Sequence, residues 1–171
     1  MTRELLDRAL IEEASKKSGL VWVKGAGAAA ARALWHVWHE GAVCLVGDGP
    51  GEQPLEGLVD GGTAEVTVRS KDKGGRLVTF PATVSEPAPG SEQWEAAVAE
   101  LKGKRLNAPD GEHMPARWAR ECRVLRLTPA GALAPLPSGS LAQPPVPTPA
   151  TTRMPIPAGL PRLLARRRKR K

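Results

Sequence analysis

Residues 33–47, ALWHVWHEGAVCLVG, constrain the fold more than any other part of the chain. Apolar and aromatic residues lie on both sides of Glu40-Gly41, which is typical of two strands joined by a two-residue turn. Such a turn fixes the register of the strands. The predicted cross-strand pairs are Trp38 with Val43, Val37 with Cys44, His36 with Leu45 and Trp35 with Val46.

Both faces of this predicted hairpin are apolar. One face carries Trp35, Val37, His39, Cys44 and Val46, and the other carries Leu34, His36, Trp38, Val43 and Leu45. A sheet that is apolar on both sides needs cover on both, as in a barrel wall with side chains packed inside and helices packed outside. The hairpin therefore predicts a small barrel rather than a helical bundle.

Further strands and helices are predicted on either side of the hairpin. A second strand pair over 65–84, EVTVRSKDKGGRLVTFPATV, places Val68 opposite Leu77 and Val66 opposite Thr79. Apolar runs and helical periodicity predict strands over 20–23 and 122–128 and helices over 4–17, 91–105 and 115–121. The apolar side of the first helix is expected to comprise Leu5, Leu6, Ala9, Leu10 and Ala14. The predicted fold is α+β, mainly β, with an antiparallel barrel and flanking helices.

The charges divide the chain into two parts. Residues 1–130 contain all 18 acidic residues and 17 of the 25 basic ones, so this part is close to neutral. Residues 131–171 contain the other eight basic residues and no acid, among many prolines and alanines. Such a segment buries too little apolar surface to offset the entropy of ordering it. We therefore predict one folded domain over 1–130 and a disordered basic tail over 131–171.

The chain ends in a run of six basic residues, Arg166, Arg167, Arg168, Lys169, Arg170 and Lys171. Such a run attracts polyanions weakly and without sequence preference, so nucleic acid is a candidate partner for the tail. The alternative is a run that only aids solubility. Because the pI near 9.9 comes from the tail, it does not indicate that the domain itself binds nucleic acid.

Cysteine usage and the apolar segments indicate the compartment. Cys44 and Cys122 each lie in an apolar, strand-like segment, which favours buried free thiols over a disulfide. The charged N-terminus lacks the apolar core of a secretory signal, and no apolar run approaches the roughly 18 residues that a membrane helix needs. We expect a cytoplasmic protein with no membrane span.

No catalytic signature is present in the sequence. His36 and His39 have the HxxH spacing of a helical metal site, but in a strand they point to opposite faces, so no metal is predicted. The segment 69–76, RSKDKGGR, concentrates cations and glycines between two strands, a composition that suits phosphate binding. The alternative is a solvated turn whose lysines keep a sheet edge soluble.

The five tryptophans, with one phenylalanine and no tyrosine, form an unusual aromatic set. All lie on predicted apolar faces, so core packing is the first interpretation, and stacking on a flat ligand ring is the alternative for one or two of them. The basic stretch 102–107, KGKRLN, lies at a helix C-terminus, where cations interact favourably with the helix dipole. No ligand role is predicted for that stretch.

The order of these segments resembles a known superfamily. A helix and a strand precede ALWHVWHEGAVCLVG, and a Gly/Pro loop, EVTVRSKDKGGRLVTFPATV, a helix beginning near Trp94 and a closing VLRLTP follow it. This order resembles the flavin-binding split-barrel proteins, the superfamily of pyridoxamine 5'-phosphate oxidase and the deazaflavin-dependent nitroreductases. It is similar in particular to short, uncharacterised actinobacterial members. The resemblance covers about residues 4–130.

The resemblance implies a six-stranded split barrel that forms a homodimer and binds FMN or a deazaflavin in the dimer groove. In the superfamily, basic and hydroxyl side chains of the barrel strands hold the cofactor phosphate. The predicted cofactor-binding residues here are Arg69, Ser70, Lys71, Arg76, Trp38 and His36. The implied activity is that of an oxidoreductase whose redox chemistry belongs to the cofactor. The alternative is a non-enzymatic barrel whose basic tail binds nucleic acid or another polyanion.

Overall fold

The computed structural model describes residues 2–72 and 74–135, which form seven strands, three α-helices and a short 3-10 helix. The strands are β1 (Leu20–Gly25), β2 (Arg32–Trp35), β3 (Val37–His39), β4 (Ala42–Gly47), β5 (Thr63–Arg69), β6 (Arg76–Ser85) and β7 (Arg123–Pro129). The helices are α1 (Arg3–Lys17), α2 (Glu92–Lys104) and α3 (Met114–Glu121), and the 3-10 helix is Gly111–His113. The disorder predicted for the tail and its terminal basic run lie outside the described residues.

All neighbouring strands are antiparallel, and the sheet curls into a nearly closed barrel. The strand order is β2-β1-β5-β6-β7-β4-β3, so β2 and β3 stand at opposite ends although only His36 separates them along the chain. This stretch pairs with β1 through β2 and with β4 through β3, which brings the two ends of the sheet together. The predicted antiparallel barrel is confirmed, and the break at His36 makes seven strands of the expected six.

We call the region around His36, where the two ends of the sheet meet, the seam. At the seam a side chain takes the place of a strand partner. β3 and β4 follow the predicted register for Trp38 with Val43 and for Val37 with Cys44. The predicted pairs His36 with Leu45 and Trp35 with Val46 do not form. The Gln53 amide lies there instead: it accepts from Trp35 N at 2.9 Å and donates to Trp35 O at 2.9 Å and Val46 O at 3.2 Å. Gln53 thus satisfies backbone groups that a strand partner would otherwise satisfy.

Two apolar clusters cover the two faces of the sheet, as the two-sided apolar pattern predicts. The interior cluster fills the barrel with inward residues of the strands, and Ile11 of α1 joins it. The outer cluster packs β3, β4 and β7 against α2 and α3. α2 contributes its four buried residues, Trp94, Ala97, Val98 and Leu101.

The second strand pair differs in register from the prediction. The observed pairs are Val66 with Phe80 and Val68 with Val78, so the predicted pairs Val66 with Thr79 and Val68 with Leu77 are wrong. A bulge between Val68 and Arg69 shifts the pairing by one position. The shift places Val78 and Phe80 in the interior and leaves Leu77 47% exposed.

α1 turns a different side toward the barrel from the one predicted. Its buried residues are Ile11 and Ser15, and of the predicted face only Ala14 packs against the interior cluster. Anchoring of the helix near Ser15, whose carbonyl bonds to His36, directs this later part of the helix to the barrel. The three leucines of the predicted face are largely exposed: Leu5 at 57%, Leu6 at 47% and Leu10 at 49%.

The chain continues along β6 after β7 ends. Ala134 N donates to Thr79 O at 2.8 Å, and Arg76 Nη2 donates to Pro135 O at 2.8 Å. The predicted domain boundary at residue 130 stays a prediction. Cys44 is a buried free thiol, as expected, whereas Cys122 is a free thiol that is only partly buried. In the part of the chain that is described, no helix has both the length and the apolarity needed to cross a membrane.

Candidate functional site

A cleft of about 400 Å³ lies at the seam of the barrel. It is formed by three segments of the chain: the residue before β1, the junction of β2 with β3, and the C-terminal end of α2. The lining residues are Gly19, Trp35, His36, Lys104, Arg105 and Leu106. Because α2 packs on β3 and β4, its last residues reach the point where strand pairing stops. A volume of this size is within the range of small-ligand sites.

One wall of the cleft is built on Trp35. The guanidinium carbon of Arg105 lies 5.6 Å from the centroid of the Trp35 ring, a cation–π arrangement. The fully buried Trp118 ring lies 6.5 Å from Trp35, tilted by 40°. Trp35 is therefore held between a cation and a core aromatic ring. Trp35 and Arg105 both line the cleft, so an indole and a guanidinium, two planar groups, contribute to its surface.

A buried carboxylate stands behind this wall. The side chain of Glu52 is 1% exposed, and its Oε1 accepts hydrogen bonds from Trp118 Nε1 at 3.1 Å, Arg117 Nη2 at 3.2 Å and Arg105 Nη2 at 3.4 Å. Arg117 also forms a bidentate pair with Asp110, at 2.6 and 3.3 Å. The bonds to Asp110 and then to Glu52 raise the pKa of Arg117, so this guanidinium stays charged.

The loop that carries Glu52 is fixed closely against the barrel. A Cβ atom on Gly47 would lie 2.2 Å from Gln53 O, so only glycine permits the chain to pass at this point. Asp48 N donates to Gln53 O at 2.9 Å, and Asp48 Oδ1 accepts from Leu55 N at 2.7 Å. These bonds hold Gln53, and with it the adjacent Glu52, at the seam.

His36 lines the cleft and ties α1 to the seam. Its Nε2 donates to Ser15 O at 2.9 Å, which leaves Nδ1 as the unprotonated nitrogen. The side chain is 2% exposed, and burial lowers the pKa of His36 to about 4. Nδ1 has no hydrogen-bond partner among the described residues. His36 is consequently a neutral imidazole at neutral pH.

The cleft favours an anionic ligand. Lys104 is exposed, and Arg105 is partly exposed beside it, at the end of α2. None of the residues that line the cleft is acidic. A second concavity of about 370 Å³ lies between the start of α1 and residues 129–132, but its charges balance and it has no aromatic wall. The seam cleft is the better candidate for a flat, negatively charged molecule.

Thiol and metal chemistry have little support in the described residues. Cys44 is buried, and desolvation raises the pKa of its thiol to about 11, so it is not an activated nucleophile. No group of three or more His, Cys, Asp or Glu side chains within 2–72 and 74–135 is arranged to hold a metal ion.

Comparison with solved structures identifies the architecture. The chain superimposes on HutZ, the heme storage protein from Vibrio cholerae, with a TM-score of 0.55 and 14% identity over 78% of this chain and 96% of that one. A putative general stress protein 26 from Jannaschia sp. CCS1 matches with a TM-score of 0.50 and 13% identity over 75% and 76% of the two chains. The barrel closed through His36 has the same fold. The chain is a split β-barrel.

More distant similarities and the sequence comparisons add no further identification. An F420 reductase matches with a TM-score of 0.46 and 14% identity over 72% of this chain and 94% of that one. No protein-family model matches the sequence. The comparison with curated proteins finds no significant relative.

The split barrel separates the predicted cofactor residues into two groups. Of the six, only His36 lines the cleft, whereas Trp38 packs against the interior cluster. The other four lie in or beside the β5–β6 turn. Arg69 stacks on Trp22 with its guanidinium carbon 5.0 Å from the ring centroid, Arg76 bonds to Pro135 O, Ser70 N donates to Gly75 O at 2.8 Å, and Lys71 is exposed.

The basic turn and the cleft occupy the same end of the split barrel. Leu20 pairs with Trp35 across β1 and β2, and Val21 pairs with Val68 across β1 and β5. Arg69, the next residue after Val68, therefore lies on the far side of Leu20 from Trp35. Two strand spacings separate the backbones of Trp35 and Arg69 by about 10 Å.

Lys104, Arg105 and Trp35, which line the cleft, were not predicted as ligand-binding residues from the sequence. Lys104 and Arg105 belong to the basic stretch that the helix dipole explained adequately, and Trp35 was one of five tryptophans with no distinguishing local signal. One signal could have selected Trp35: it directly precedes His36, a polar residue in the middle of a strand-like run that is apolar on both faces. Glu52, in a glycine- and proline-rich loop, gave no signal.

Proposed function

We propose that this split barrel binds a flavin-class cofactor, FMN or a deazaflavin, with the planar ring in the seam cleft. The observation that carries the proposal is the flat Trp35–Arg105 wall in a cleft of about 400 Å³ that has basic and no acidic lining residues. Aromatic and guanidinium faces stack on planar rings, and cations favour a ligand with a phosphate.

In this proposal the cofactor phosphate extends from the cleft toward the β5–β6 turn. Arg69, Ser70, Lys71 and Arg76 then supply the cations and hydroxyl that the superfamily resemblance assigns to the phosphate. The separation of about 10 Å between the backbones of Trp35 and Arg69 suits a ring and phosphate joined by a short chain. His36 lines the cleft, and Trp38, two residues further along the chain, packs against the barrel interior.

The residues of the cleft fit a planar anionic group, and their own contribution is binding and orientation. A bound flavin would supply hydride or electron transfer, so an oxidoreductase function depends on the cofactor rather than on a side chain. HutZ is a heme storage protein, and heme is also a flat anion. Heme is therefore the competing ligand that the binding experiment includes.

We also propose that the protein is a homodimer through the outer face of β1, β2 and β6. Leu20 is 48% exposed and Leu77 is 47% exposed on this face, whereas α2 and α3 pack on β3, β4 and β7. Trp35 lies at its rim, so a second copy would border the cleft. Sedimentation velocity should give twice the chain mass for the wild type and the monomer mass for Leu20→Glu. A wild-type monomer at tens of micromolar would exclude the dimer.

Titration of the full-length protein with FMN tests the proposed function. FMN should quench tryptophan emission and shift the flavin absorbance bands, because the ring stacks beside Trp35. Riboflavin, which lacks the phosphate, should bind more weakly, and the difference between the two should shrink as the salt concentration rises. The proposal is wrong if neither flavin changes either signal, or if hemin binds and the flavins do not.

A further inference from the structure

We propose that Glu52, which does not line the cleft, is a positioning residue that fixes the Trp35–Arg105 wall and so sets the affinity for the planar ring. The inference rests on the proposed function for its ligand and on the contacts of Glu52 for its geometry. A single buried carboxylate contacts both neighbours of Trp35: Arg105, which covers its ring, and Trp118, which packs beside it.

Arg105 depends on Glu52 more than Arg117 does. Its Nη2 lies 3.4 Å from both carboxylate oxygens of Glu52, and its other acceptor is Gly51 O at 3.4 Å. Arg117 has a second carboxylate, Asp110, which would hold it in the absence of the charge on Glu52. Loss of that charge therefore releases Arg105 first.

The Glu52→Gln variant separates the two contacts of this side chain. The amide oxygen of glutamine still accepts from Trp118 Nε1, so the packing of Trp118 is retained, whereas the ion pair with Arg105 is lost. Arg105 then moves toward solvent and no longer covers Trp35. Because the cation–π contact is lost from the wall, ring affinity should fall by about fivefold or more.

Positioning and simple electrostatics predict opposite results for this variant. If Glu52 acted only through its negative charge, its removal would strengthen the binding of anionic FMN and leave neutral riboflavin unchanged. If Glu52 positions the wall, FMN and riboflavin should weaken by similar factors, since both use the ring. Comparing the two ligands thus distinguishes an oriented guanidinium from a change in local potential.

The experiment compares full-length wild type, Glu52→Gln, Arg105→Lys and the control Glu86→Gln. Glu86 pairs with Arg123 at 2.7 Å and is not among the residues that line the cleft, so the control removes the same charge outside the cleft. Each variant is titrated with FMN and riboflavin, and near-ultraviolet circular dichroism is recorded without ligand. We expect Glu52→Gln and Arg105→Lys to lose affinity for both flavins and to reduce the tryptophan dichroism, whereas Glu86→Gln changes neither.

Two outcomes would overturn the positioning role of Glu52. Tighter FMN binding with unchanged riboflavin binding in Glu52→Gln, or an equal effect in Glu86→Gln, would overturn the positioning role. If the wild type binds no flavin, the proposed function fails, and the dichroism of ligand-free Glu52→Gln and Arg105→Lys still decides whether Glu52 orders the wall. If Glu52→Gln does not fold, Arg105→Lys provides the same comparison, and unchanged dichroism and affinity there would count against the role.

Discussion

Replacing Phe80 by alanine is expected to lower the free energy of unfolding by about 3–5 kcal/mol, because the ring is fully buried in the barrel interior and its removal leaves a cavity. The loss should appear as a lower midpoint in urea unfolding followed by tryptophan emission. Phe80 lies opposite Val66 on β5, so the cavity forms where two strands contribute inward side chains. No titratable group is involved, and the effect should persist across pH.

Leu77→Ala is the matched control for Phe80→Ala. Leu77 lies on the same strand but points outward and is 47% exposed, so its truncation should cost about 0.5 kcal/mol or less in the isolated chain. The register predicted from the turn alone would place Leu77 inside the barrel. A larger loss for Leu77→Ala than for Phe80→Ala would mean that the bulge after Val68 is absent and the second strand pair is shifted.

Acidification from pH 7 to pH 4 is expected to destabilise the protein by about 3 kcal/mol through His36 alone. Burial lowers the pKa of His36 from its ordinary value of 6.5, which applies to the unfolded chain, to about 4 in the folded chain. Between these values the unfolded chain binds a proton that the folded chain does not. Stability is therefore constant for this group above pH 6.5, falls as the pH drops toward 4, and falls no further below it.

The measurement is urea unfolding at several pH values from 7.5 to 4.5, and the comparison variant is His36→Gln. Glutamine can still donate to Ser15 O, but it does not titrate. Its free energy of unfolding should vary much less over this interval than that of the wild type. Equal pH slopes for the two proteins would show that His36 is not the buried neutral imidazole of the seam.

Two carboxylates also contribute to the pH dependence of stability. Arg117 lowers the pKa of Asp110 and Lys102 lowers the pKa of Glu112, so the stability that each carboxylate contributes is lost as the pH falls through its lowered pKa.

The first hairpin was predictable because its information is local. A two-residue turn at Glu40-Gly41 fixes the register, and both residues have positive φ, at 45° and 74°. The turn of the second pair is longer, and between the pairs Val68–Val78 and Arg69–Arg76 one residue of β6, Leu77, has no partner on β5. Nothing in the alternation of that segment marks the bulge, so a register counted from the turn is off by one residue.

The seam and the cleft were not predictable because they depend on contacts between distant segments. Gln53 takes the place of a strand partner for Trp35, eighteen residues away along the chain. Arg105 reaches Trp35 from the end of α2, and the sequence offers a sufficient local reason for its charge. The choice of Trp38 over Trp35 for the cofactor site was equally uncertain on local grounds, because the two alternate on one strand-like run and only the fold assigns one to the interior.

The buried side of α1 was also not predictable from the sequence of the helix alone. Periodicity identified the helix correctly but not the side that packs, because apolar residues occur around much of its circumference. The contact of Ser15 O with His36 selects the Ile11 side. A partner on the barrel, rather than the helix itself, decides which residues are buried.

The cofactor proposal is tested most directly by finding which of the five tryptophans lies next to bound FMN. An indole ¹⁵N–¹H spectrum of the full-length protein, with the Trp35 signal assigned by its absence in Trp35→Phe, reports each ring separately during an FMN titration. The cofactor proposal predicts a saturable shift of the Trp35 signal and an unchanged signal for Trp94, a residue of α2 that is buried in the outer cluster. A Trp35 signal that does not move while FMN binds elsewhere, or does not bind at all, would contradict it.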